Sequence, residues 1–200
     1  MKTKPAKKKS RNPRKISPQS TSDVLREDSP PYRVNGNGAS HKIRFIDLFC
    51  GIGGFRIAMN TASKARGIPS ECVFSSDIDP DAQTAYEGNF GERPTGDITK
   101  VAAKDVSDHE LLLGGFPCQA FSIIGDRKGF EDARGTLFFD IARILETKKP
   151  AAFVLENVKQ LRSHDNGRTL DRIMETLKGL GYHAQCKVLN ALNFGVPQKC

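Results

Sequence analysis

Three features of the 200-residue sequence predict an α/β fold with a mostly parallel sheet. Short apolar runs at 43–49, 71–76, 111–113 and 151–155 alternate with segments of helical period, as strands alternate with crossover helices. The cluster Cys50-Gly51-Ile52-Gly53-Gly54-Phe55 joins the first run to the first helical segment, as in a nucleotide-binding βα unit. Polar groups follow three of the runs: Asp77, Cys118 and Glu156.

The elements follow in order. Residues 1–40 are rich in Lys, Ser, Pro, Asn and Gly and read as a basic, disordered tail, so the domain is expected over 41–200. Ile43 to Phe49 reads as a buried strand, and Phe55, Ala58, Met59 and Ala62 recur at helical spacing behind the glycine turn. Glu71 to Ser76 is the second strand and ends at Asp77. Asp79-Pro80 reads as an N-cap followed by proline at N1, opening a helix through about Asn89. Gly96 to Thr99 is a turn. Leu111 to Leu113 ends a strand, and Gly114-Gly115 break it before Pro117-Cys118. Residues 123–136 are long for a connector and read as a lid or binding loop. Helices are expected over 137–147 and 169–180, a strand over 151–155 ending on Glu156-Asn157, and a further strand over 182–189.

Charge and cysteine usage bound the class. Eight of the 31 basic residues fall within residues 1–15, which contain no acid, so the remaining 23 balance the 23 acidic ones. The net charge of +8 belongs to the tail, which reads as a phosphate-binding arm, a localisation signal or a solvated tail. Five cysteines, at 50, 72, 118, 186 and 200, form no C-x-x-C pair, and free thiols in a reducing compartment are expected. No run reaches the ~18 apolar residues of a membrane span. The four histidines lack ligand spacing, so no metal site is expected.

A free thiol at the edge where a parallel strand meets its loop is a candidate nucleophile, and a small buried hydrophobe is the competing reading of Cys118. Glu156 reads as a catalytic carboxyl or an exposed strand-end acid, and Asp77 as a ribose acceptor or a solvated loop residue. The fingerprint G-x-G-x-x-G is not completed, because Arg56 stands at its third glycine position. That disfavours a nicotinamide-dependent dehydrogenase.

Together, Asp47-Leu-Phe-Cys-Gly-Ile-Gly-Gly54, Gly115-Phe-Pro-Cys-Gln119 and Glu156-Asn-Val158 resemble the first, fourth and sixth motifs of the cytosine-C5 DNA methyltransferases of bacterial restriction–modification systems. The likeness runs from about 43 to 199 and includes Lys128 to Asp140 and Asn190 to Gln198. It implies a Rossmann-like S-adenosylmethionine-dependent methyltransferase fold. In that family S-adenosyl-L-methionine would sit at the glycine turn, with Phe49 on the adenine and Gly51, Ile52 and Gly54 along the methionine portion. Asp77 would hold the ribose, Ile78 would cover the adenine, and Asp97 would accept from its exocyclic amine beside Ile98. Gly115, Pro117 and Leu137 would lie near the methyl donor. Cys118 would attack C6 of a flipped cytosine, Glu156 would donate to N3, and Asn157 would fix the base or the loop. Gln119, Ser122 and Arg134 would contact double-stranded DNA.

The family's eighth motif continues beyond Gln198-Lys199, where Cys200 is the last residue given. The resemblance therefore implies a C-terminally incomplete catalytic domain without target-recognition domain, truncated or complemented by a second polypeptide. The bacterial cytoplasm is the expected location, with nuclear targeting the alternative use of the basic tail in a eukaryote. Two other readings stand beside it: an inactive DNA-binding or regulatory remnant, and an RNA cytosine-C5 methyltransferase of the same fold.

Overall fold

The computed structural model describes residues 41–117 and 137–197. The tail, residues 118–136 and residues 198–200 fall outside that description, and with them Cys118, Gln119, Ser122 and Arg134.

Among the described residues four parallel strands form the sheet in the order β2-β1-β3-β4. They are β1 (Ile43–Leu48), β2 (Ser70–Ser76), β3 (Leu111–Gly115) and β4 (Ala152–Glu156). Helices α1 (Gly54–Arg66), α2 (Pro80–Phe90), α3 (Leu137–Lys148) and α4 (Arg168–Gly179) connect or follow them. The apolar runs become strands because both faces of β1 and β3 are covered. Ile46, Leu48 and Leu112 are buried against Phe138, Ile141, Ile144 and Leu145 of α3 and Ile173 and Leu177 of α4. Phe45, Cys72 and Leu113 point to the other face, beneath Phe55 and Met59 of α1. At ~1.5–3 kcal/mol per fully buried large side chain, the α3–α4 face supplies most of the packing energy.

Register aligns the strand ends. Leu48 pairs with Ser76 on one side and Gly114 on the other, and Gly115 pairs with Glu156. The segments that leave β1, β2, β3 and β4 thus emerge along one edge. Asp79 caps α2 by accepting from the N–H groups of Asp81 and Ala82, with Pro80 at the first helical position.

Two expectations need correction. The buried side of α1 runs through Phe55, Arg56, Met59 and Ser63, whereas Ala58 and Ala62 are exposed. The spacing of four was right, but the helix is rotated so that a charged residue faces inward. Residues 182–189 form no strand. Tyr182 and Ala184 do pack on the core, and the Tyr182 hydroxyl donates to the Pro150 carbonyl at 2.9 Å. Alternation favours an extended chain, but a strand needs a ladder partner, and none is present among the described residues. Among the described residues no helix is long and apolar enough to cross a membrane.

Candidate active site

The chain passes outward from β1 to β2, then returns to the other side of β1 as β3. Open parallel sheets bind ligands at such a reversal, outside the carboxyl ends of the strands.

Leaving β1, the backbone turns sharply through Phe49 at φ 54° and Gly51 at φ 52°. The Cys50 N–H donates to the Ser76 carbonyl at 3.0 Å. The Gly51 N–H donates to Asp77 Oδ2 at 2.8 Å, and Asp77 Oδ1 accepts from the Asp79 N–H at 2.9 Å. A carboxylate has about four lone-pair sites, so Asp77 ties the turn to β2 and keeps acceptor capacity for a ligand. Above the turn there is room, since a Cβ at Gly51 or Gly54 would meet nothing within 4 Å. Ile52 and Ile78 stand exposed beside it, Ile78 at 72%. Bare glycine backbone, exposed apolar side chains and a carboxylate with spare acceptors fit a ligand that combines an aromatic base, a sugar and a charged tail.

Asp97 accepts at Oδ1 from the backbone N–H and the hydroxyl of Thr99, which hold its carboxyl below the usual range. The Ile98 side chain is buried in the core, and its carbonyl accepts from Arg143 at 2.6 Å. Arg143 also donates to the Val101 carbonyl at 2.7 Å, fastening α3 to this segment.

A second group of residues comes from β3 and β4. Glu156 is exposed at the end of β4, and a Cβ at Gly115 would lie 3.5 Å from its Oε2. Gly115 and that carboxyl are thus neighbours at ordinary van der Waals distance. Asn157 Nδ2 donates to the Phe116 carbonyl at 2.7 Å, and its Oδ1 accepts from the Val158 N–H at 2.9 Å. Phe116 is buried against Phe138, with ring centroids 5.9 Å apart. The strand that leads to Cys118 is therefore held to the end of β4 by Asn157. Pro117 is exposed and Leu137 is half-buried at the start of α3. Among the described residues no cluster of His, Cys, Asp or Glu could hold a metal ion.

The thiols differ in readiness. Burial pushes the Cys50 thiol up, and the nearby Asp47 and Asp77 push it further. Burial likewise raises Cys72. Neither is a ready thiolate.

Sequence reasoning assigned no role at the site to Asp47, Arg56, Asn89 or Phe90, which lie at or beneath the glycine turn. The one available signal was Arg56, a charged residue inside an apolar helical stripe.

The profile of the C-5 cytosine-specific DNA methylase family matches residues 43–199. The chain is 56% identical over 157 residues to the Type II methyltransferase M.HhaI of Haemophilus parahaemolyticus, covering 78% of this chain and 46% of that protein. It is 53% identical over 171 residues to M.SsoII of Shigella sonnei, covering 86% and 43%. The S. pombe Dnmt2 methyltransferase superposes with a TM-score of 0.63 at 27% identity, covering 80% of this chain and 48% of that one. A putative DNA modification methyltransferase encoded within an E. coli prophage, at 22% identity and TM-score 0.53, shares the fold. The chain spans less than half the length of these relatives.

Proposed function

Because the chain belongs to the C-5 cytosine-specific DNA methylase family, we propose that it methylates C5 of cytosine in double-stranded DNA, as the modification partner in a bacterial restriction–modification system. The observation that carries this reading is the 56% identity to M.HhaI, on a sheet whose ordered edge gathers the glycine turn, Gly115 and Glu156.

S-adenosyl-L-methionine fits the open glycine turn, and when bound it supplies an electrophilic methyl group. Gly51, Ile52 and Gly54 border its methionine portion, and the spare acceptors of Asp77 take the ribose hydroxyls. Phe49, Ile78, Asp97 and the backbone at Ile98, whose side chain is in the core, define the adenine side. Gly115, Pro117 and Leu137 line the passage to the reacting carbon.

Cytosine C5 is a poor nucleophile until electron density is pushed into the ring. The Cys118 thiolate adds at C6, N3 takes its proton by way of the Glu156 carboxyl, and the ring becomes an enamine. Asn157 holds the segment that carries the cysteine. After methylation a base removes the C5 proton and the thiolate leaves. The target carbons are stacked inside duplex DNA, so the base must be flipped out, with Gln119, Ser122 and Arg134 on the DNA side. The remaining length of the family, on whichever polypeptide carries it, supplies target recognition, and the reaction takes place in the cytoplasm.

The test is a covalent trap on 5-fluorocytosine duplex DNA with S-adenosyl-L-methionine, with the family's remaining length supplied. The wild-type protein forms an adduct at Cys118, and Cys118→Ser forms none. An adduct in the serine variant, or at another cysteine, overturns the assignment.

A further inference from the structure

Arg56 stands where a dinucleotide-binding turn has a third glycine, which there permits close packing of helix on strand. Here the guanidinium fills that gap. It is largely buried, with its side chain 15% exposed. Nη1 donates to the Tyr86 hydroxyl at 3.2 Å and pairs with Glu92. The guanidinium carbon lies 5.0 Å from the centroid of Phe90 and 5.8 Å from that of Phe45, within cation–π range of both. Arg56 therefore joins α1 to the last turn of α2 and to the residues just after it.

That last turn of α2 supports the glycine turn directly. A Cβ at Gly53 would fall 2.1 Å from Phe90 Cε2, so the ring presses against bare backbone. Asn89 Nδ2 donates to the Ile52 carbonyl at 3.2 Å. Phe90 is held in turn by Tyr86, with ring centroids 4.6 Å apart. The contacts run without a break from Glu92 through Arg56 and Phe90 to Gly53.

We propose that Arg56 is a positioning residue for the methionine end of the cofactor, acting through Phe90 and Asn89 to fix the turn at Gly51–Gly54. The proposal rests on the cofactor reading above. It separates the two ends of the ligand: the ribose carboxylate, Asp77, is anchored by its own bonds to Gly51 and Asp79, whereas the far side of the turn depends on the end of α2.

The experiment measures binding of S-adenosylhomocysteine and of 5′-methylthioadenosine, which lacks the amino-acid portion, to the full chain by equilibrium dialysis. Arg56→Gln should weaken S-adenosylhomocysteine by about tenfold, the scale of one lost charge-assisted interaction. It should leave methylthioadenosine within about twofold. Arg56→Lys, which keeps the charge, should recover part of the loss. Glu92→Gln, at a half-exposed position that does not endanger folding, should shift the same ligand in the same direction and decides the matter if Arg56→Gln fails to fold. Equal losses for both ligands, or no loss for S-adenosylhomocysteine, overturn the positioning role. Failure of the wild-type chain to bind either ligand overturns the cofactor reading instead.

Discussion

A carboxyl buried at the end of a strand must either be paired or keep its proton. Asp47 has no solvent exposure, and neither of its oxygens makes a hydrogen bond of good geometry among the described residues, the Arg56 backbone N–H being the donor that approaches it. Burial pushes its pKa up to about 7 from 3.8, although the Arg56 charge and the Arg56 backbone N–H oppose the shift, and Asp77 reinforces it. Cys50, Cys72 and Tyr86 also face it, and their own titrations are raised partly by its charge. The folded pKa lies above the unfolded one, so between pH 3.8 and about 7 the native state holds a proton that the unfolded chain has lost. Stability from this group therefore falls as pH rises across that window, by at most about 1.4 kcal/mol per pH unit, and is level beyond it. Asp47→Asn, which never charges, should gain stability relative to wild type from pH 4 to pH 7 and hold that gain at pH 8. Denaturant melts at those pH values test it, and a difference that is constant with pH would refute the buried-acid account.

At the scale of elements, the glycine turn contains two glycines that do opposite things. Gly53 has φ 96°, and its Cα faces Phe90 of α2. Gly53→Ala must meet both the left-handed backbone cost, ~1–2 kcal/mol, and a clash with a ring that Arg56 and Tyr86 hold in place. Gly54 is the first residue of α1 and faces open space. Gly54→Ala should leave the melting temperature at or above wild type, since alanine is the better helix former. It should nevertheless weaken S-adenosylhomocysteine, because its methyl group enters the cofactor space. Thermal melts paired with equilibrium dialysis separate the two, and a Gly54→Ala protein with unchanged affinity would remove that glycine from the cofactor boundary.

The same elements show what was legible in the sequence. The four described strands, the four helices and the Asp79-Pro80 cap could be read because each is encoded locally, by apolar runs, spacing and cap chemistry. The ordered edge was legible too, since strand ends carry Asp77 and Glu156. What escaped depends on partners far apart in the chain. Arg56 read only as a missing glycine, yet its counter-charge, Glu92, lies 36 residues on. Asp47 sits inside an apolar run, and nothing local tells whether a neighbour will pair it. The strand expected at 182–189 had the alternation but not the ladder, and pairing is a property of the sheet.

For the whole molecule, the side of the sheet beyond β4 is the weak point of the described structure. β4 pairs with β3 alone among the described residues, and Val154 on it is 48% exposed. Farther along, Leu189, Leu192, Phe194 and Val196 are exposed too, Phe194 at 68%. Single exposed apolar residues are ordinary, but an open strand edge followed by several of them invites association. The relatives are more than twice as long as the stretch they share with this chain. A polypeptide limited to residues 1–200 should therefore self-associate at micromolar concentration. It should also transfer little methyl to DNA, because in the proposed reading target recognition belongs to the remaining length of the family. Supplying a polypeptide with the remaining length of the family should give a defined complex and restore transfer. Light scattering on the eluted species, with labelled-methyl incorporation into duplex DNA measured in parallel, tests both halves of the expectation. A monodisperse 1–200 chain that turns over repeatedly on its own would show that β4 needs no cover and that the edge of Gly51, Gly115 and Glu156 suffices for catalysis.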